Sequence, residues 1–300
     1  MRVVTLLPAA TEIVAALGAA GTLVGISHEC DHPDAVASLP RVTAPGIDAS
    51  LSSAAIDAAV RRARADGRAS VIVDADRIRL LRPDVIITQA LCDVCAVSDG
   101  SVVDLAAALE PAPLVVVLGG RTIDGVLRDI DTVGRHLGRE GEAADLAAAL
   151  TRRLAALAPG GPRASQALGI PRVACVEWLD PLYLAGHWVP ELVAAAGGED
   201  VGGEPGGHSF PRTWAEVERL RPDVVIVMLC GFGIGRARAE LDALTDPAAR
   251  AVLSARPVWI LDGNAYTSRP GPRIVDGAER IHAALHGRAA EGLARYHFPI

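Results

Sequence analysis

Aromatic residues make up only 3% of this 300-residue chain, so its core must be aliphatic, and an aromatic ring placed in a loop is informative. Long apolar runs are also missing. The strongest, Leu114 to Leu118, stops at the Gly119-Gly120 pair, far short of the ~20 residues that cross a bilayer, so no membrane insertion is expected. Positive charge is not in excess. The formal net charge is -7 and the arginines are spread rather than gathered in a stripe, which argues against nucleic acid and anionic lipid as partners. Five cysteines, an odd number, do not make a disulfide scaffold; in a reducing compartment a Cys-x-x-Cys pair more often binds metal or cycles redox state. No serine elbow, phosphate-cradling glycine loop or paired-carboxylate motif stands in convincing context, so hydrolases and nucleotide enzymes receive little support, and a non-enzymatic protein is expected. The opening Met1-Arg2-Val3-Val4-Thr5-Leu6-Leu7-Pro8 runs directly into a strand without the pattern of an export signal. The expected location is the cytoplasm as written, or the periplasm or cell surface if an export signal precedes it.

What is present is a repeated phrase. Leu-Arg-Pro-Asp-Val-Ile-Ile occurs at residues 81–87 and Leu-Arg-Pro-Asp-Val-Val-Ile at 220–226. In each, proline ends a helix because it lacks the amide that a helix needs, and a β-branched run then reads as a buried strand. Each copy leads into a loop with cysteine: Cys92 and Cys95 after the first, Cys230 after the second. Two similar lobes follow.

Taken in order, strand Val3 to Leu7 precedes a helix opened near Thr11 and stopped by Gly18, and Thr22 to Ser27 is a second strand. It delivers His28-Glu29-Cys30-Asp31-His32-Pro33 into a loop. A serine-capped helix begins near Leu51 to Ile56. From Thr122 to about Leu157, apolar residues recur at helical spacing over a stretch much longer than an ordinary connection. This predicts a long spacer helix, with a break near Gly138. Further strands are expected at Arg172 to Val176 and Val258 to Leu261, and a last helix at Ile274 to Leu285. The expected fold class is α/β: two Rossmann-like lobes with parallel sheets, residues 1–120 and 159–300, joined by a rigid spacer over 121–158.

In such sheets ligands bind beyond the carboxyl ends of the strands. Trp178, Tyr183, Trp188, Phe232 and Tyr266 mostly fall in loops at those ends, and a large flat ligand held between two lobes would use them. His187 and Arg269 lie in the same loops. Trp214 and Trp259, in a predicted helix and strand, read as packing residues, and Cys175 as a small buried one. Cys92 and Cys95 have the spacing of half a zinc or iron-sulfur site, and Cys30, Cys230 and His28 lie in loops that two lobes could bring to one face. That opens a second reading, a cytosolic metalloprotein or metalloenzyme with Glu29, His28 or Glu177 available for proton transfer.

The stretch Leu6-Leu7-Pro8-Ala9-Ala10-Thr11-Glu12-Ile13-Val14-Ala15-Ala16-Leu17-Gly18, the paired Arg-Pro-Asp strands, the long middle helix and Ser268-Arg269-Pro270-Gly271-Pro272-Arg273 together resemble the cobalamin- and iron-siderophore-binding proteins of ABC importers, the class III periplasmic-binding-protein type. The resemblance covers nearly the whole chain and is nearest to the cobalamin-binding branch. It implies a corrinoid such as cobalamin in the interlobe cleft and an importer permease as partner. It also implies that Trp178 or Tyr183 is the aromatic contact of the second lobe, that Arg269 is the arginine of the last cleft loop, and that Tyr266 is the aromatic before it; His28, His187 or a cysteine could ligate cobalt. A haem- or siderophore-binding protein is a third reading. The Cys92-Asp-Val-Cys95 loop departs from the pattern, standing where the better-known cobalamin receptors have an aromatic contact. A rigid helical joint would allow little closure on binding.

Overall fold

The computed structural model describes residues 1–90, 99–157 and 169–298, the side chains of Asp99 and Gly100 excepted. The chain divides into two compact units. One holds residues 1–51, 55–120 and 124–149; the other holds 52–54, 121–123 and 150–300. The expected α/β class is what the chain adopts. Among the described residues no helix is long and apolar enough to cross a membrane.

The repeated Arg-Pro-Asp phrase performs the same mechanical task in each unit. Arg82 and Arg221 both take left-handed backbone, with φ of 44° and 49°, and close the helices Ala75–Leu81 and Trp214–Leu220. Proline then blocks continuation. The aspartates bind the start of the neighbouring strand: the Asp84 carboxylate accepts the Arg2 amide at 2.6 Å, and that of Asp223 accepts the Arg172 amide at 2.8 Å. Even the partner side chains repeat, Arg2 donating to the Leu81 carbonyl and Arg172 to that of Leu220. These bonds fix each helix end against its sheet.

The first unit contains strands β1 (Val3–Thr5), β2 (Leu23–Gly25), β3 (Thr43–Pro45), β4 (Val71–Val73), β5 (Val85–Gln89) and β6 (Leu114–Leu118). Its sheet is parallel in the order β2-β1-β5-β6, and β3 with β4 forms a separate antiparallel ribbon. Val4, Leu6, Ile78, Ile86 and Val102 lie in one buried cluster, each large aliphatic contributing about 1.5–3 kcal/mol by leaving water.

The expected spacer is two helices, Ile123–Leu137 and Glu140–Leu157, separated at Gly138, whose φ of 64° suits a residue without Cβ. The turn is tight, for a Cβ on Gly134 would come within 2.5 Å of the Ala143 methyl. The chain passes from the first unit to the second inside the later helix. Within the second unit Arg153 ties the end of that helix to Asp276 and, at 2.9 Å, to Glu279.

The second unit adds β7 (Arg172–Leu179), β8 (Leu182–Leu184), β9 (Glu199–Asp200), β10 (Phe210–Pro211), β11 (Val224–Val227), β12 (Val258–Leu261) and β13 (Leu293–Tyr296). Its centre, β7-β11-β12, is parallel as expected, whereas β8 and β13 pair antiparallel with its two edges and β10 pairs antiparallel with β8. A two-residue turn at Asp180-Pro181 lets the chain double back without a crossover helix. The last helix spans Ile274–Leu285, as the sequence predicts. Trp214 and Trp259 are buried packing residues.

Candidate functional site

The three central strands of the second unit end together. Their loops are residues 180–188 with 204–209, 228–233 and 262–273. Hydrogen bonds stitch these loops to one another. The Cys230 amide donates to the Glu177 carbonyl at 3.0 Å, the Asn264 amide to the Phe232 carbonyl at 3.2 Å, and the Gly231 amide to Ser268 Oγ at 3.1 Å. Ser209 Oγ accepts the Gly186 amide and donates to the Glu177 carboxylate at 3.0 Å. Paired backbone groups of this kind hold loop positions before any ligand arrives.

Trp178 and Tyr183 are direct cross-strand partners of β7 and β8, so their rings share one face of the hairpin. Both are half-buried. A β-bulge at Glu177, where the register slips between Val176 and Trp178, sets that orientation. Phe232 meets Trp178 edge-on at 5.2 Å and carries the Arg236 guanidinium over its ring, 3.6 Å from the ring centre. At 3% exposure, Phe232 backs Trp178 from the interior. Trp188 is also interior, 7% exposed, and its indole N–H donates to the Thr267 carbonyl at 3.0 Å.

Arg269 is 5% exposed and donates to Asn264 Oδ1 at 2.9 Å. Tyr266 lies under the Arg280 guanidinium, 3.9 Å from its ring centre, and its hydroxyl accepts from the same arginine at 3.2 Å. His187 takes left-handed backbone, φ 53°, with its amide bonded to the Gly207 carbonyl at 2.6 Å. Its ring stands 5.6 Å from those of Trp188 and His208. Burial, then the His208 and Arg121 charges, push the His187 pKa below its ordinary value, which favours the neutral imidazole that ligates metals.

The seven residues Trp178, Tyr183, His187, Trp188, Phe232, Tyr266 and Arg269 thus fall in the strand-end loops or hairpin of one unit. The partners Glu177, Ser209, Asn264, Arg236 and Arg280 supply the support. Of these, Glu177 is read from the sequence as a candidate for proton transfer rather than as a support, and Asn264 lies close to the Ser-Arg-Pro-Gly-Pro run; Arg236 and Arg280 stand in helices that carry no such cue.

The thiol reading finds less geometry. Cys92 and Cys95 lie outside the described residues. Cys30, in the first unit, is buried with Sγ 3.0 Å from Thr11 Oγ1, while Cys230 is half-buried in the second. Among the described residues no group of three or more histidines, cysteines and acids is placed to hold a metal ion. The His28 amide donates to Thr43 Oγ1 at 2.9 Å, and its Nδ1 lies 2.7 Å from the same hydroxyl, which itself donates to Ser27. Nδ1 is therefore the protonated nitrogen. Burial lowers the His28 pKa, with Glu29 opposing and Arg41 assisting.

At the end of β6, the Asp129 carboxylate accepts the Gly120 amide at 2.8 Å and that of Gly119 at 3.2 Å. Burial raises its pKa against the pull of those two amides. Away from the strand-end loops, a groove of about 400 Å3 lined by Arg79, Arg82, Pro83, Leu109 and Pro111 opens where β5 and β6 begin.

The sequence profile of the family described as periplasmic binding protein matches residues 3–259. A search of curated proteins returns no match. Among solved structures, a periplasmic heme binding protein from Pseudomonas aeruginosa is similar, with 20% identity, a TM-score of 0.73 and coverage of 98% of this chain and 97% of that one. The periplasmic vitamin B12 binding protein BtuF of Vibrio cholerae shares 20% identity at a TM-score of 0.65, covering 95% of this chain and 96% of its own. An ABC-type Fe3+-hydroxamate transport system protein from Saccharomonospora viridis shares 22% identity at a TM-score of 0.62, covering 95% and 92%. With the family match running through most of both units, the chain belongs to the periplasmic binding proteins, ligand binders of the kind that serve ABC importers as substrate-binding components.

Proposed function

We propose that this protein binds a corrinoid of the cobalamin type and presents it to an importer permease. Trp178 and Tyr183 meet a flat apolar face of the ligand, Tyr266 extends that contact, and Arg269 with Asn264 meets a polar edge. Trp188 and Phe232 support these groups from beneath. The observation that carries the reading is the cross-strand placement of two half-buried aromatic rings on one face of a hairpin, in a chain where aromatics are scarce. A flat macrocycle gains both area burial and ring stacking from such a pair.

A second reading, haem in place of the corrinoid, draws on His187, whose depressed pKa keeps an imidazole nitrogen available to an iron centre at neutral pH. The BtuF of Vibrio cholerae is titled for vitamin B12 and the Pseudomonas aeruginosa protein for heme, and the fold accommodates both classes.

Visible-band titration and calorimetry with hydroxocobalamin, haemin and a ferric hydroxamate decide among them. Tightest binding of hydroxocobalamin, with a shift of its visible bands, is the expected result. Absence of band shift and of binding heat at micromolar hydroxocobalamin overturns the corrinoid reading.

A further inference from the structure

At the C-terminal end of the helix Ile274–Leu285, His282 and His286 are four residues apart and therefore neighbours on one helical face. Their rings lie at a centre-to-centre distance of 4.1 Å with a tilt of 38°. His282 Nδ1 is 3.0 Å from the Ala196 carbonyl oxygen, and His286 Nδ1 is 2.8 Å from the His282 carbonyl oxygen. A carbonyl oxygen can only accept, so both Nδ1 atoms carry the proton and both Nε2 atoms, in the neutral rings, keep a lone pair.

We propose that His282 and His286 form a two-histidine site for a transition-metal dication of the Cu(II), Ni(II) or Zn(II) class. Three independent features favour a cation there. Metal-binding histidines characteristically donate their second ring nitrogen to a carbonyl or carboxylate, which fixes tautomer and orientation, and both rings already do so. Two nitrogens bound to one cation at about 2.0–2.1 Å stand roughly 3 Å apart, a separation within reach of rings whose centres are 4.1 Å apart. The helix C-terminus supplies the negative end of the backbone dipole. Water completes the coordination. Because His282 is bonded to Ala196, which follows the helix Val189–Ala195, an occupied site would also brace two helices against each other.

His282 and His286 lie about 12 Å and about 18 Å along the helix from Ile274, at the end that the Arg269 loop enters, so the site is separate from the corrinoid reading and stands or falls without it. Ni(II) alone is the calorimetric probe, and Cu(II) electron paramagnetic resonance is the spectroscopic one. The ligand-free wild-type protein is compared with His286→Gln, which alters an exposed side chain, and with His282→Gln. Losing an outer partner of a metal ligand costs about 10–100-fold in affinity, so losing a ligand itself is expected to weaken Ni(II) binding at least about tenfold in either variant. The Cu(II) spectrum of the wild type is expected to show two coupled nitrogens. Equal Ni(II) affinity in wild type and His286→Gln, with circular dichroism unchanged, overturns the proposal, as does a Cu(II) spectrum that is the same in all three proteins.

Discussion

Replacing Trp188 by phenylalanine keeps an aromatic ring in the loop but removes the indole N–H that reaches the Thr267 carbonyl at 3.0 Å. The bond itself contributes about 1 kcal/mol net, and stranding a carbonyl in an interior that leaves Trp188 7% exposed costs about 1–3 kcal/mol. The smaller ring adds a void. A loss of roughly 2–4 kcal/mol follows, and with a urea slope near 3 kcal/mol/M the midpoint of unfolding falls by about 1 M. Urea titration followed by far-ultraviolet circular dichroism measures that shift, and hydroxocobalamin titration of the same variant measures binding. If Trp188 supports the loop from within, stability falls while affinity stays within about threefold. An unchanged midpoint together with a tenfold or greater loss of affinity refutes this reasoning and moves the Trp188 ring onto the ligand.

Trp178→Ala is expected to weaken corrinoid binding by about 10-fold or more and to lower stability as well, since the indole N–H donates to the Ser53 carbonyl at 3.2 Å and the ring packs on Phe232; calorimetric titration beside a urea curve checks both. Asp129→Ala strands the Gly119 and Gly120 amides and should destabilise the protein by about 2–4 kcal/mol, read as a drop in urea midpoint. His28 and His187 have folded pKa values below 6.5, so the unfolded chain takes up protons first on acidification. Stability is full above pH 6.5 and declines as pH falls from there toward the folded values. A urea-midpoint profile across that range is expected to slope downward into acid, and His187→Asn, which tolerates the left-handed backbone, should flatten part of the slope.

The Arg-Pro-Asp repeat carried the architecture in the sequence, because one phrase encodes a helix stop, a left-handed cap and an acid for the adjoining strand amide. Long periodic segments such as Ile274–Leu285 were legible for the same reason: many residues vote for one face. The antiparallel flanks were not. Strands β8, β10 and β13 contain three, two and four residues, too few for a period-two pattern to stand out, and their pairing depends on partners distant in the chain. At the candidate site, residue type located the loops but did not separate surface from support. Trp178 and Trp188 look equivalent as loop aromatics, and both indoles donate to a backbone carbonyl; burial separates them, Trp188 being interior and Trp178 half-buried. The histidine pair escaped notice because His282 and His286 acquire significance through backbone carbonyls, which a string of side-chain names does not reveal.

The extra residue at Glu177 is also a fastener. Val176 faces Leu184 and Trp178 faces Tyr183 across the ribbon, so a chain shortened by that one position could keep both pairs, with the two rings still on one face. What it would lose is the carbonyl that takes the Cys230 amide and the carboxylate that takes Ser209 Oγ, and with them the ties that run from the hairpin to two neighbouring loops.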